Sequence, residues 1–511
     1  MTGPTRTRSW TWTWNRARTN ALVALLVLAY GAFQAAHLGG YTWDSDEGIN
    51  AMKARLVLEG ARLYTEVWAD QPPGFTVAVA GAFAAFGQRM EVARAVALGH
   101  GMLALAASAA LAAAAGGGAV AAVAAVAFLG LAPNAFWASR AAMIGLPALS
   151  LAMVGMALVL AFERNRGRGL LVAAGLAFGF GLTEKLIGAY LALPVALVLL
   201  RVRRGDLGAL GRDALALAAG AAAPLLAVAA AFDVPAMLSQ AVGTVAAARG
   251  AYGAGEEAQD VAWRAEKLAF WLRYDHLFLV GPAAVGALRL LRARTTAAWA
   301  LLTWLVAAIV ALLVQTPLWP KHHVLVLLVV LAPLAALGVE AAARAPRDWR
   351  AGRRTAAAIA LAGAALGLVG VPGMLRANAA RLTVLPFKES GTLPSTESWR
   401  HQHEAAALLR AATSPGDVVL TDHLVVALEA DRSVPPALAV LSGKRLAVGG
   451  LDGAGIVAAA EAARPAAVLL WDGDRLSRFP EVVAWGEAGY APAGELGGGL
   501  WRLWLRRQAA P

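Results

Sequence analysis

Three carboxylates lie within four residues near the beginning of the chain, at Asp44, Asp46 and Glu47. Carboxylates this close repel one another unless a cation or a substrate offsets their charge. A group of this kind is suited to act as a general base toward a hydroxyl. On local composition alone a plainer interpretation is favoured, in which Asp44 or Ser45 caps a helix that begins near Glu47.

The composition indicates which elements must position these residues. Of the 511 residues 59% are apolar and only 15% are charged, whereas soluble domains are about 45–50% apolar. The chain has no cysteine, which excludes disulfides and thiolate metal sites. The net charge of +12 comes largely from arginines in short loops between apolar runs. That distribution is typical of membrane topology signals and argues against a nucleic-acid partner.

Apolar runs predict a helical bundle that crosses the membrane many times. A spanning helix needs about 20 mostly apolar residues. Eleven runs qualify as predicted spans: 20–38, 92–114, 118–136, 141–162, 169–184, 186–200, 214–232, 272–291, 297–315, 322–341 and 355–374.

A twelfth apolar run, 72–87, is short and begins with two prolines. Its assignment decides on which side of the membrane the arginine-rich loops lie. Only if 72–87 does not span do the N-terminal arginines and all four basic clusters fall on the cytoplasmic side. We therefore predict an interfacial or re-entrant helix there, inside an external loop 39–91. The four clusters are Arg164/Arg166/Arg168, Arg201/Arg203/Arg204/Arg212, Arg289/Arg292/Arg294 and Arg344/Arg347/Arg350/Arg353/Arg354.

The sequence divides into a membrane module, 1–374, and a tail, 375–511, which follows the last span on the outer side. The tail alternates short apolar strands with helices, which predicts a small α/β domain large enough for its own core. The predicted helices are 403–412, 453–463 and 479–489, and the predicted strands are 417–421, 466–471 and 500–505.

The first external loop resembles the GT-C membrane glycosyltransferases, and most closely the branch of lipid A aminoarabinose transferases and protein O-mannosyltransferases. The resemblance rests on Asp46-Glu47, Ala54, Leu56 to Gly60, Leu63-Tyr64 and Gln71-Pro72-Pro73. It implies that Asp46 is the base, with Glu47 as its neighbour, and that Tyr64 and Gln71 belong to the substrate site.

The resemblance further implies an inverting hexosyl- or pentosyltransferase in a bacterial-type plasma membrane. The donor would be a sugar on a polyprenyl phosphate, and the acceptor a hydroxyl of a glycolipid, polysaccharide or protein outside the cytoplasm. Two positions depart from the family pattern: Gln71 replaces a frequent lysine and Asn50 a frequent tyrosine. Both departures leave the base, Asp46, unchanged.

Such a reaction requires cations near the leaving phosphate. The topology places Arg140, Lys185 and the run Lys321-His322-His323 at the outer membrane face. Charged groups at membrane depth are functional candidates, although interfacial anchoring or pairing, such as Lys185 with Glu184, would also explain them. Asp44 is a further substrate-site candidate, or a cap.

Two alternatives remain open at this stage. Asp44, Asp46 and Glu47 form a single cluster that could bind a divalent cation with a phosphate, but we expect no metal or other cofactor. The chain could also be a transporter or flippase of a lipid-linked sugar, which predicts paired repeats with broken helices at the midplane. No such repeat is visible in the sequence, and the carboxylates lie in a loop.

Overall fold

The computed structural model describes residues 16–39, 44–253, 258–382, 401–471 and 475–507. Helices dominate as far as residue 382. Their bounds are α1 Arg16–Ala35, α2 Ser45–Leu58, α3 Gly74–Phe86, α4 Met90–Ala114, α5 Ala119–Leu131, α6 Pro133–Ala138, α7 Gly145–Asn165, α8 Arg168–Glu184, α9 Ala192–Val202, α10 Leu207–Ala231, α11 Val234–Leu238, α12 Thr244–Gly253, α13 Val261–Tyr274, α14 Leu277–Ala293, α15 Thr296–Val314, α16 Pro320–His323, α17 Leu325–Arg350 and α18 Arg354–Leu382.

Among the described residues, six helices are long and apolar enough to cross a membrane. A seventh span results if α13 and α14, which meet at a bend of 101°, are counted as one. The chain is therefore a multi-pass membrane protein. Every predicted span overlaps a helix, but several of these helices are shorter than a full span. The number of eleven spans thus stays a prediction.

Several span boundaries differ from the prediction because backbone breaks interrupt the apolar runs. The run 118–136 divides at Ala132, before the proline that begins α6. The run 141–162 becomes helical only at Gly145. The run 186–200 begins as a 3-10 helix, Leu186–Leu191, before α9. Apolar composition gives no indication of such breaks.

Close packing of α14 on α17 depends on the absence of side chains at two glycines. A Cβ atom at Gly286 would lie 1.9 Å from the carbonyl oxygen of Leu334, and one at Gly338 would lie 1.9 Å from that of Pro282. Small residues of this kind let membrane helices approach to backbone contact. The two helices therefore pack with their backbones in direct contact.

The run 72–87 forms helix α3, whose 13 residues are fewer than the roughly 20 that a span needs. Phe75, Val79 and Phe83 are buried, whereas Phe86 is 72% exposed. Helix α3 thus packs one face on its neighbours α2 and α4 and leaves apolar groups on the other. A helix of this length and pattern fits the predicted interfacial position.

The tail contains α19 Gln402–Ala412, α20 Leu424–Glu429, α21 Gly443–Ala447, α22 Gly453–Ala463 and α23 Pro480–Gly489, with strands β1 Val419–Leu420, β2 Ala467–Trp471, β3 Tyr490–Leu496 and β4 Trp501–Arg506. The sheet order is β1-β2-β4-β3, with β1 parallel to β2 and the other pairs antiparallel. The small α/β fold is confirmed. Strand β3 was not predicted from the sequence.

The tail has a core of its own and shares a second core with the loop 39–91. Ile456, Leu470 and Trp504 pack in the internal core. On the other face of the sheet, residues such as Val426 join Met52 of α2 in one cluster. The tail is therefore not a separate body: burial of apolar surface joins it to the loop that carries the acidic residues.

Candidate functional site

Helix α2 positions the acidic cluster. The Asp44 carboxylate accepts a hydrogen bond of 2.9 Å from the backbone N–H of Asp46 and so caps the helix, as the plainer sequence interpretation predicted. Inside the helix, Asp46, Asn50 and Lys53 follow at spacings of four and three residues and lie on one face. All three line the same cavity.

The cavity has a volume of about 570 Å³ and lies where loops of the helical part, 39–91 among them, meet the tail. Its charged and polar lining comes from six separate segments of the chain. These residues are Asp44, Ser45, Asp46, Asn50, Lys53, Asp70, Gln71, Lys185, Gln315, Lys321, His322, His323, Ser442, Lys444, Arg475 and Arg478.

Asp44 forms one ion-pair centre of the cavity. Its carboxylate lies 2.7 Å from the Lys321 ammonium and 3.4 Å from the His322 ring. Burial alone would raise the pKa of Asp44, but the charges and hydrogen bonds of Lys321 and His322 hold it well below its usual value. Asp44 is therefore an anion near neutral pH, held in place by its partners and its capping bond.

Two lysines form a second centre around Asp70. Lys444 pairs with the Asp70 carboxylate. Lys185 lies between α8 and the following 3-10 helix, and burial, together with the nearby Lys444 charge, lowers its pKa to about 8 although Asp46 and Asp70 oppose the shift. The ammonium groups thus share one low-dielectric space with few anions to balance them.

Of the predicted site residues, seven line the cavity together: Asp44, Asp46, Gln71, Lys185, Lys321, His322 and His323. Glu47 does not line it. The Glu47 side chain is fully buried. It accepts hydrogen bonds of 2.8 Å from Arg94 and 3.1 Å from the backbone N–H of Ala142. Glu47 therefore joins α2 to α4 and to the segment before α7. Of the predicted catalytic pair, Asp46 therefore lines the cavity and Glu47 points away from it, toward Arg94.

Tyr64 and Arg140 also lie outside the cavity lining. The Tyr64 hydroxyl donates 2.9 Å to the carbonyl oxygen of Gln71 and so supports the backbone of a lining residue. Arg140 is 3% exposed, stacks over the Phe136 ring at 5.0 Å, and donates to the carbonyl oxygen of Arg381. The contact with Arg381 joins α18 to the segment between α6 and α7.

Four cationic lining residues were not predicted from the sequence: Lys53, Lys444, Arg475 and Arg478. Lys53 had a signal, because it follows Asp46 by two helical turns. The other three come from the tail, more than 350 positions further along the chain. Arg475 donates 2.8 Å to the Ser45 hydroxyl at the first turn of α2, a contact that no local pattern indicates.

One group of lining residues has the donor set for a divalent cation. Ligand atoms of Asp44, Asp46 and His322 lie within 4.8 Å of one another, and oxygen with imidazole ligands suits several metals. Asp44 already faces the Lys321 ammonium at 2.7 Å, so a cation there would have to displace an existing positive charge. The expectation of a metal-free site stays a prediction.

Comparison with known proteins agrees with the first-loop resemblance. Residues 50–204 match the family of dolichyl-phosphate-mannose-protein mannosyltransferases. That segment contains Gln71 and Lys185 but begins after Asp46. No curated protein matches the chain.

Solved structures with the same fold include ArnT from Cupriavidus metallidurans. Its apo form is 14% identical, with 95% of this chain and 98% of that chain covered at a TM-score of 0.63. The form bound to undecaprenyl phosphate is also 14% identical, with 96% of this chain and 98% of that chain covered at a TM-score of 0.64. The chain therefore has the fold of ArnT, a polytopic GT-C membrane protein, as the residues of the loop 39–91 predicted.

Proposed function

We propose that this protein is an inverting membrane glycosyltransferase that moves a sugar from a polyprenyl-phosphate donor to an acceptor hydroxyl on the extracytoplasmic face. The observation that carries the proposal is one cavity whose lining contains a half-buried carboxylate, Asp46, together with the ammonium groups of Lys185 and Lys321. A base and a phosphate site are the two parts that the reaction needs.

The proposed step balances without a further reactant. The Asp46 carboxylate takes the proton of the acceptor hydroxyl while the acceptor oxygen forms a bond to C1 of the sugar. The bond between C1 and the phosphate oxygen breaks, and that oxygen leaves with the electron pair. Lys185 and Lys321 stabilise the added negative charge on the lipid phosphate. Attack from the side opposite the phosphate inverts the configuration at C1.

The cavity also has apolar groups where a lipid could enter. Leu186 and Trp319 line it and are 46% and 36% exposed, and both lie beside predicted or observed membrane helices. ArnT from Cupriavidus metallidurans was solved with undecaprenyl phosphate bound, which supports a polyprenyl-phosphate donor for this chain as well. The sugar itself is a hexose or a pentose under this proposal.

The distribution of basic residues supports the outer position of the cavity. Arg94, one turn into α4, reaches Glu47 beside the cavity. At the other end of this 25-residue helix, Arg164 donates to the carbonyl oxygen of Ala114. Arg289 donates to the carbonyl oxygen of Gly116 at the same end. The basic clusters that contain Arg164 and Arg289 therefore lie at the end of the bundle remote from the cavity. Basic residues favour the cytoplasmic side.

The test uses membranes that contain the full chain and a panel of labelled polyprenyl-phosphate sugars. Wild-type membranes should transfer label to an acceptor fraction, and Asp46→Asn should abolish transfer while the protein level stays normal. Asp260→Asn is the matched control, because Asp260 caps α13 and does not line the cavity. Full transfer by Asp46→Asn would refute the assignment. Movement of the donor across vesicles without transfer would instead identify a transporter.

A further inference from the structure

Among the described residues of the tail, Lys444 is the lysine that lines the cavity. It is the second residue of α21, a short helix whose cap, Ser442, also lines the cavity. Its ammonium pairs with Asp70 of the first external loop, and the two side chains are only 16% and 13% exposed. An interaction between such distant parts of the chain is therefore held inside the cavity and away from the surface.

The Lys444 charge lies close to other cations. Burial and this charge both lower the pKa of Lys185, and the same two causes act on Lys53. Like charges in a buried space raise the free energy of the site unless an anion lies between them. Asp46 and Asp70 oppose both shifts. The described lining nevertheless holds six lysine and arginine side chains against three carboxylates, those of Asp44, Asp46 and Asp70, so the cavity has an excess of positive charge that a phosphate would relieve.

The first loop provides Lys53 near Asp70, but it has no cation at the position that follows Asp70 in the sequence. The next residue, Gln71, lines the cavity with a neutral amide. We infer that Lys444 binds the donor phosphate together with Lys185, so that the tail provides a phosphate ligand which the first loop lacks at Gln71. This inference rests on the proposed function and deepens it, because it assigns part of the phosphate site to the tail.

Other contacts hold the tail against the first loop without Lys444. Arg55 donates 2.8 Å to Asp431. The guanidinium of Arg445, next to Lys444, lies 5.1 Å from the Trp68 ring centre. Removal of the Lys444 ammonium should therefore leave the tail in place, and the effect on phosphate binding can be separated from an effect on folding.

The experiment measures binding of undecaprenyl phosphate, without a sugar, to the purified full-length protein. Lys444→Ala should weaken binding roughly 10- to 100-fold, the usual worth of a hydrogen bond to a charged group. Lys267→Ala is the control, because this lysine is 40% exposed on α13 and pairs with Glu266 outside the cavity. The Lys267→Ala variant should bind undecaprenyl phosphate with the same affinity as the wild type.

A second variant separates charge from structure. Gln71→Lys in the Lys444→Ala background places an ammonium in the same cavity from the first loop, and it should restore most of the lost affinity. Asp70→Asn removes the partner of Lys444 and should leave phosphate binding equal or stronger. If the Lys444–Asp70 pair only docked the tail, Asp70→Asn would weaken binding and the double variant would not recover.

The outcomes distinguish this inference from the proposed function. Unchanged binding in Lys444→Ala, or a loss that Gln71→Lys does not repair, overturns the role of Lys444 but leaves a donor site around Lys185 intact. Absence of any undecaprenyl phosphate binding by the wild type overturns the proposed function itself. Thermal unfolding of each variant, measured in parallel, identifies any loss of affinity that comes from misfolding.

Discussion

The Arg94 guanidinium donates a 2.8 Å hydrogen bond to Glu47, and the two side chains are 4% and 0% exposed. Glu47 also accepts from the backbone N–H of Ala142. Three segments around the cavity, α2, α4 and the chain before α7, therefore meet at one carboxylate. Its neighbour Asp46 faces the cavity instead.

Glu47→Gln should reduce stability, whereas Asp46→Asn should not. Removal of one partner leaves the Arg94 charge buried without its carboxylate, which typically costs about 3–5 kcal/mol of unfolding free energy. Thermal unfolding of the purified variants measures this difference. A Glu47→Gln protein that unfolds like the wild type but fails to transfer sugar would show that Glu47 acts in the chemistry.

Gly48→Ala should loosen the tail from α2. A Cβ atom at Gly48 would lie 2.8 Å from the backbone nitrogen of Val425 in α20, too close for either backbone to stay in place. Gly81→Ala in α3 is the control, because its Cβ would meet nothing within 4 Å and alanine favours the helix by about 1 kcal/mol. Limited proteolysis should cut the tail faster in Gly48→Ala only; equal rates would contradict the close approach.

Donor binding should weaken as the pH rises through about 8. Burial is the main cause that lowers the pKa of Lys185 to about 8. The Lys185 side chain is therefore positively charged below that pH and loses its charge above it. The phosphodiester of the donor stays anionic throughout this range, so the loss of affinity follows Lys185. Donor affinity is measured between pH 6.5 and 9.5. Its decline with pH should be absent in Lys185→Arg, because arginine stays charged over this range. A flat wild-type profile would refute this role.

Chelation of divalent cations should leave sugar transfer unchanged. Lys321 already provides a positive charge 2.7 Å from Asp44, within the group of Asp44, Asp46 and His322 that has suitable metal ligands. Transfer is measured after EDTA treatment and again after addition of Mg²⁺ or Mn²⁺. Activity that falls with EDTA and returns with one of these ions would place a metal in the cavity.

The sequence predicted the part of the site that depends on topology. Asp46, Lys185 and Lys321 lie in different segments, but each follows or precedes an apolar run on the same predicted side of the membrane. Charge in the loops and length of the runs were enough to bring them to one face. The structure adds that they share a single cavity.

The remainder depended on contacts between distant segments, which local patterns do not encode. Glu47 and Asp46 are adjacent and similar, and their roles are separated by the positions of Arg94 and the Ala142 backbone N–H, which both bind Glu47. Strand β3 contains Pro492 and Gly494, which are poor strand formers, and pairing with β4 imposes the strand there with an irregularity between them. Lys444 was missed because no sequence signal links it to Asp70.

The wall of the cavity that the tail provides has a consequence for synthesis of the protein. Asp46 and Lys185 are made early, whereas Lys444, Arg475 and Arg478 follow more than 250 residues after Lys185. Until those residues are translated and the tail has folded onto α2, the cavity lacks one side. An incomplete chain in the membrane would therefore hold the base without its enclosure, and competence to react would arise only when the last part of the chain docks.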